Sequence, residues 1–209
     1  MTAETPPSAA MVPGRASGPP DRYEQFMRTV RRACVTSGGR AELRQGLADG
    51  LVSPWQMYVH LLLAGGIPAH SQTREAEFPF LLVASLYAVH DAPNPRTART
   101  KPQPVPPRAD RRKNMGWSYA RAASGGAMKQ KAAGDALSYL AQLDLEDLYR
   151  DLPGAISLLR SQRVPVHWPV LLRDLTRWPR WAEDVRIEWA RAFYAPAPAS
   201  VRTTEETSS

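Results

Sequence analysis

Apolar positions recur along this chain with helical spacing. Tyr23, Phe26, Met27, Val30 and Cys34 fall at i, i+3, i+4, i+7 and i+11, whereas Arg22, Arg28, Arg31 and Arg32 occupy other faces. The pattern predicts a helix that packs on one side and presents cations on the other. A second short helix is predicted over Gly39 to Ala48. A third is predicted over Trp55 to Leu63, where Ser53-Pro54 supplies an N-cap and a proline at the first helical position. A fourth runs from about Thr73 to Val89, with Pro79 near enough to its start to be tolerated or to kink it. Asn114 to Ala123 and Lys129 to Gln142 are helical segments separated by Ser124-Gly125-Gly126. Asp144 to Arg160 follows, with its acids in the first turn, where the helix dipole favours them, and with Pro153 predicted to kink it. At the end, Leu171, Leu172, Leu175 and Trp178 form one stripe, Pro179 breaks it, and Val185, Trp189, Ala192 and Phe193 form another. No stretch alternates with period two for long enough to make a sheet. The expected fold class is therefore all-α: a helical bundle of two small helical lobes joined by a basic, Pro-rich loop.

Composition sets the boundaries of that domain. Residues 1–20 and 196–209 are rich in small, polar and proline residues and are expected to be disordered tails around a helical domain at 21–195. Within it, residues 92–113 carry six prolines and seven basic residues and are expected to form a flexible basic loop. The 209 residues suffice for a core without disulfide or metal staples. Cys34, the single cysteine, has no partner in the chain for a bridge, which fits a reducing, cytoplasmic compartment. The N-terminal stretch lacks the basic and apolar regions of a signal peptide. Phe78 to Val89, the longest apolar run, is too short to span a bilayer and is expected to be a buried helix, so no membrane partner is expected.

Charge adds a candidate function. The net charge is +7 and the pI about 9.9, an excess that favours polyanionic partners. Its distribution says more: from Asn94 to Gly134 ten Lys or Arg residues face one acid, Asp110, where a solvated surface normally mixes signs. Arg111, Arg112, Lys113, Arg121, Lys129 and Lys131 are the candidates here for contacts to phosphates, which supply affinity without reading sequence. Trp117 sits beside this segment, where it either stacks on an unpaired base or packs into the core. Trp178 and Trp189 lie on apolar stripes and are assigned to the core.

Catalytic constellations are missing from the sequence. His60, His70, His90 and His167 stand in no HExxH or C-x-x-C context and on different elements, and no GxSxG, Walker loop or GxGxxG occurs. Cys34 falls on the apolar stripe of the first helix, the place of a small buried hydrophobe rather than a nucleophile. Asp144, Glu146, Asp147 and Asp151 are the one acidic concentration, and helix capping accounts for them without a metal. Neither catalytic residues nor a metal nor a cofactor is expected.

Several segments, in order, resemble the CasB family, the small subunit of the type I-E CRISPR complex Cascade. They are GRAELRQGL with Arg40 and Arg44, the apolar ASLYAVH, the NMGWSYARAA segment, and SLLRSQRVPVHWPVLLRDLTRW leading into WARAFY at residues 157–194. The resemblance spans residues 22–195 and leaves out the tails and the Pro-rich loop. It implies an all-helical, non-catalytic prokaryotic protein that pairs head-to-tail with a second copy beside the backbone and large subunits of Cascade. In that setting it would hold guide RNA and target DNA and steady the displaced strand of the R-loop, tipping a nearly balanced strand exchange. Arg40 and Arg44 match the family's basic pair, Arg74 sits where a basic residue is common, and Arg121 matches the Arg after the loop. The chain departs from the pattern at Ala136-Leu137, where relatives show Arg-Phe, and near Pro153-Gly154, where they carry extra arginines. The loop's own cations, Arg96 to Lys113, are expected to compensate. Two other classes fit parts of the sequence. One is a helix-turn-helix DNA-binding regulator built on Gly38-Gly39 and RAELRQ. The other is a nuclease built on Asp144, Glu146 and Asp147.

Overall fold

A computed structural model describes residues 21–48, 57, 59, 61, 73–92 and 112–195. Among these residues are seven helices and no strand: α1 Arg22–Ala33, α2 Ser37–Ala48, α3 Arg74–His90, α4 Met115–Ser124, α5 Gln130–Gln142, α6 Leu145–Ser161 and α7 Trp168–Tyr194. The expected tails, most of the Pro-rich loop, and all of the expected Trp55–Leu63 helix except helical positions 57, 59 and 61 lie outside the described residues. No helix among the described residues is long and apolar enough to cross a membrane.

Local chemistry explains the helix starts. Asp21, Thr73, Asn114 and Asp144 each accept a hydrogen bond from a backbone N–H of the first turn, satisfying one of the donors a helix leaves unpaired there. α2 begins two residues before the expected Gly39. Thr36 caps it, with Oγ1 accepting from Gly39 N at 3.1 Å, and a Cβ on Gly39 would stand 2.4 Å from the Ala33 carbonyl. Only glycine fits that tight corner between α1 and α2.

Two prolines lie inside helices. α6 runs through Pro153 as one seventeen-residue element. In α7 the break exists, but the residue that leaves helical geometry is Trp181 (φ −136°, ψ 40°), two positions past Pro179. A proline's fixed φ is itself helical, so the departure shows at a neighbour and not at the ring.

The predicted stripe of α1 is buried throughout: Tyr23, Phe26, Met27, Val30 and Cys34. Burial pushes the Cys34 thiol up to about 11, which leaves it protonated and unreactive at neutral pH. Phe26 meets Phe80 of α3 edge-on, with ring centroids 5.0 Å apart. α2 packs on α3, α4 on α5 and α7, and α1 and α3 on α7, so the buried side chains make one continuous cluster drawn from every described helix. Two polar ties cross this core. Tyr23 Oη lies 3.0 Å from Thr176 Oγ1, joining α1 to α7. At the end of α3, Asp91 accepts from the Trp168 indole at 2.6 Å and pairs with Arg160 of α6.

Candidate nucleic-acid interface

The segment NMGWSYARAA, residues 114–123, has two sides. Its inward side builds the contact between α4 and α7. Asn114 caps α4 through Oδ1 and donates from Nδ2 to the Glu188 carbonyl at 3.0 Å. Met115, Tyr119 and Ala122 are buried in the core, and Ser118 donates to the Pro165 carbonyl at 2.9 Å. A Cβ at Gly116 would lie 1.8 Å from the Trp189 carbonyl, so the two helix backbones touch at this glycine. The outward side carries Trp117 and Arg121. Trp117 is half-buried, edge-on to His167 at 5.2 Å, with Lys113 and Arg121 lying 5.9 and 5.7 Å from its ring centroid. Cations at this distance are attracted by the indole face.

Trp117 is also part of the wall of a cleft of about 1170 Å³ between α4, α7 and the start of α1. Its cations are Arg22, Arg112, Lys113, Arg173, Arg177 and Arg191; its acids are Asp184 and Glu188. Beneath the cleft lies an ion network. The fully buried Asp174 accepts from Arg173 at 2.6 Å and from the Trp189 indole at 2.8 Å. Glu188 is bound by Arg173 and by Arg177, both at 2.8 Å. Burial pushes the Asp174 carboxyl up from its ordinary value, against the pull of Arg173 and the indole N–H. Glu188 is thus neutralised from below, and the rim keeps a positive balance suited to phosphates and, through its two indoles, to bases.

The candidate residues separate accordingly. Arg112 and Lys113 line the cleft, and Arg121 borders it across Trp117. Arg40 and Arg44 sit elsewhere, on α2. Arg40 is half-buried and donates from Nε to the Ala88 carbonyl of α3 at 3.1 Å, whereas Arg44 is exposed beside a smaller recess with Gln45 and Val89. Lys129 is exposed at the start of α5, and Lys131 is exposed and pairs with Asp135 at 2.7 Å. Arg74 opens α3, and Arg111 falls outside the described residues.

Sequence inspection missed Trp181. By spacing it belongs to the α7 stripe, three residues after Trp178 and four before Val185, yet it is 50% exposed and lines the cleft. The signal available was the proline two positions earlier, which makes helical spacing unreliable across it.

The acidic concentration has local roles. Asp144 caps α6 by accepting from Asp147 N at 2.8 Å, Asp147 pairs with Arg150 at 2.6 Å, and Asp151 accepts from the Tyr139 hydroxyl. Among the described residues no three His, Cys, Asp or Glu side chains converge as metal ligands.

Known proteins resemble this arrangement over most of its length. Structurally, the chain is similar to M. ruber CasB (25% identity, TM-score 0.65, covering 84% of this chain and 94% of that one). It is similar to a chain of a pre-nicking CRISPR RNA-guided surveillance complex (27% identity, TM-score 0.63, 82% and 91% covered). It shares its fold with a Cse2-family CRISPR-associated protein of Thermus thermophilus (22% identity, TM-score 0.58, 83% and 98% covered). No curated protein sequence gives a significant match. The sequence profile of CRISPR-associated protein Cse2 matches residues 39–194, three quarters of the chain, and on that match the chain belongs to the Cse2 family.

Proposed function

We propose that this protein is the non-catalytic small subunit of a type I-E Cascade, working in the cytoplasm of a prokaryote. It binds the backbones of guide RNA and target DNA and stabilises the displaced strand of the R-loop. Its protein partners are the backbone and large subunits and a second copy of itself arranged head-to-tail. Family membership carries this reading; the cleft between α4 and α7 supports it by grouping Arg112 and Lys113 with two indoles.

The physical role follows from that surface. Base pairing between guide and target reads sequence, and replacing a DNA duplex by a heteroduplex is close to balanced, so sequence-independent contacts from protein decide whether the opened state persists. Cations on an exposed rim release counterions when they meet phosphates, so affinity should fall with salt at a log-log slope of about 0.7 per contact on single strands. Arg96 to Lys113, of which only Arg112 and Lys113 are described, supply the cations that compensate for Ala136-Leu137 and for the missing arginines near Pro153-Gly154.

The test is co-expression with the remaining complex subunits and a guide RNA. The chain is expected to co-purify with RNA-bearing complex, and R-loops formed by complex lacking it should collapse faster. Failure of the chain to join the RNA-bearing complex when every other subunit is present, or R-loops equally long-lived without it, would overturn the reading.

A further inference from the structure

Trp181 stands between Trp178 and Val185, both of which are buried, just past the Pro179 break. The chain leaves helical geometry at Trp181 itself and turns that side chain out. Among the described residues the Trp181 ring takes part in no aromatic pair and no cation–π contact, in contrast to Trp117, Trp168, Trp178 and Trp189. The anchor residues are firm on both sides. Trp178 packs against Trp189 at 5.2 Å and under Arg186 at 5.5 Å, so the kink has a fixed base.

Around this indole the cleft offers charge. Among the described residues, exposed Arg191 makes no ion pair and Lys113 contacts the face of Trp117 but no acid. An exposed indole that shares a cleft with two cations matches the chemistry of an unpaired nucleotide: a π-face for the base and positive charge for its phosphates. A duplex keeps its base faces stacked on one another and has no use for such a platform.

We infer that Trp181, turned out at the α7 kink, is a stacking platform for an unpaired base of single-stranded nucleic acid, with Lys113 and Arg191 holding the flanking phosphates. This rests on the nucleic-acid reading above and sharpens it: the cleft takes a single strand through a base and not only through its backbone.

The experiment uses the full chain with labelled oligothymidylate, oligouridylate and a blunt DNA duplex of equal length, measured by anisotropy across salt concentrations. Trp181→Ala should weaken single-strand binding by about tenfold, the scale of one base-aromatic stack, while duplex binding and salt slope stay as in the wild type. Trp181→Phe should retain most of the affinity. Lys113→Ala with Arg191→Ala should lower the slope on single strands by about 1.4, twice 0.7. Whether thymidylate or uridylate loses more identifies the strand served, and either result supports the platform. Unchanged single-strand affinity in Trp181→Ala overturns it, and so does an equal loss on single strand and duplex. Conversion of a dimer to a monomer by that variant, seen by sedimentation, would make Trp181 an interface between copies and also sink the idea. If the double cation variant loses binding while Trp181→Ala does not, the phosphate reading survives alone. If the wild type binds no nucleic acid, free or in the assembled complex, both readings fall.

Discussion

In the α2–α3 pair, the cation facing the neighbouring helix is tied into it: Arg40 donates to the Ala88 carbonyl and is half-buried. In the α4–α7 pair the division runs the other way. Backbone contact at Gly116 and the Asn114 bridge hold the helices together, the buried Asp174 centre ties the two halves of α7 to each other, and Lys113, Arg121 and Arg191 are left to face outward. The two pairs therefore use cations for different ends. A helix pair joined through glycine and an amide can present its cations to a ligand, whereas a cation bonded to the neighbouring helix, as Arg40 is, already has part of its hydrogen-bonding capacity engaged.

The largest effect that would test this contrast is at the buried centre. Asp174→Ala leaves Arg173 without its main partner inside the protein and should cost about 3–5 kcal/mol, read from the urea midpoint. A loss near zero would mean that the two halves of α7 are held across the kink by apolar packing alone. Next comes the rim: Arg112→Glu with Lys113→Glu should lower single-strand affinity by roughly tenfold or more at moderate salt, with the melting temperature nearly unchanged. On the other side of the contrast, Arg40→Ala should remove about 1 kcal/mol of stability and leave nucleic-acid affinity close to wild type. A strong loss of affinity with intact stability would place Arg40 among the ligand contacts and erase the distinction between the two regions.

The smallest effect concerns pH at the end of α3. Burial, reinforced by the positive charge of Arg160, lowers the His90 pKa below its ordinary 6.5, with Asp91 opposing. The unfolded chain then binds more protons than the folded one as pH falls through 6.5, so stability declines on acidification below that value and is regained above it. His90→Gln should flatten this dependence, measured as melting temperature between pH 7.5 and 5.5; an unchanged slope would assign the effect to another group.

The extent of legibility differs between α1 and α7. Every position of the α1 stripe is buried because regular spacing and a single packed face leave one solution. The capping role of the acids at Asp144 was equally visible, since a short polar side chain before an apolar run has few other uses. Trp181 was not, because spacing loses its meaning across Pro179. The bond from Arg40 to the Ala88 carbonyl was not legible either, since a basic residue has the same letter whatever it meets. Gly116 reads as an ordinary helix-weakening residue until the Trp189 carbonyl is seen against it.

The hydrogen-bond pair Tyr23–Thr176 brings together residues 153 positions apart, and α1 completes its burial only against α7. During synthesis the first helix must therefore wait, with part of its apolar stripe covered by α3 and the rest exposed, until the last helix has left the ribosome. Such a chain has no stable N-terminal intermediate to offer. Truncation anywhere before α7 should yield aggregation-prone material rather than a smaller folded protein, and cells would count intact copies in an all-or-none way.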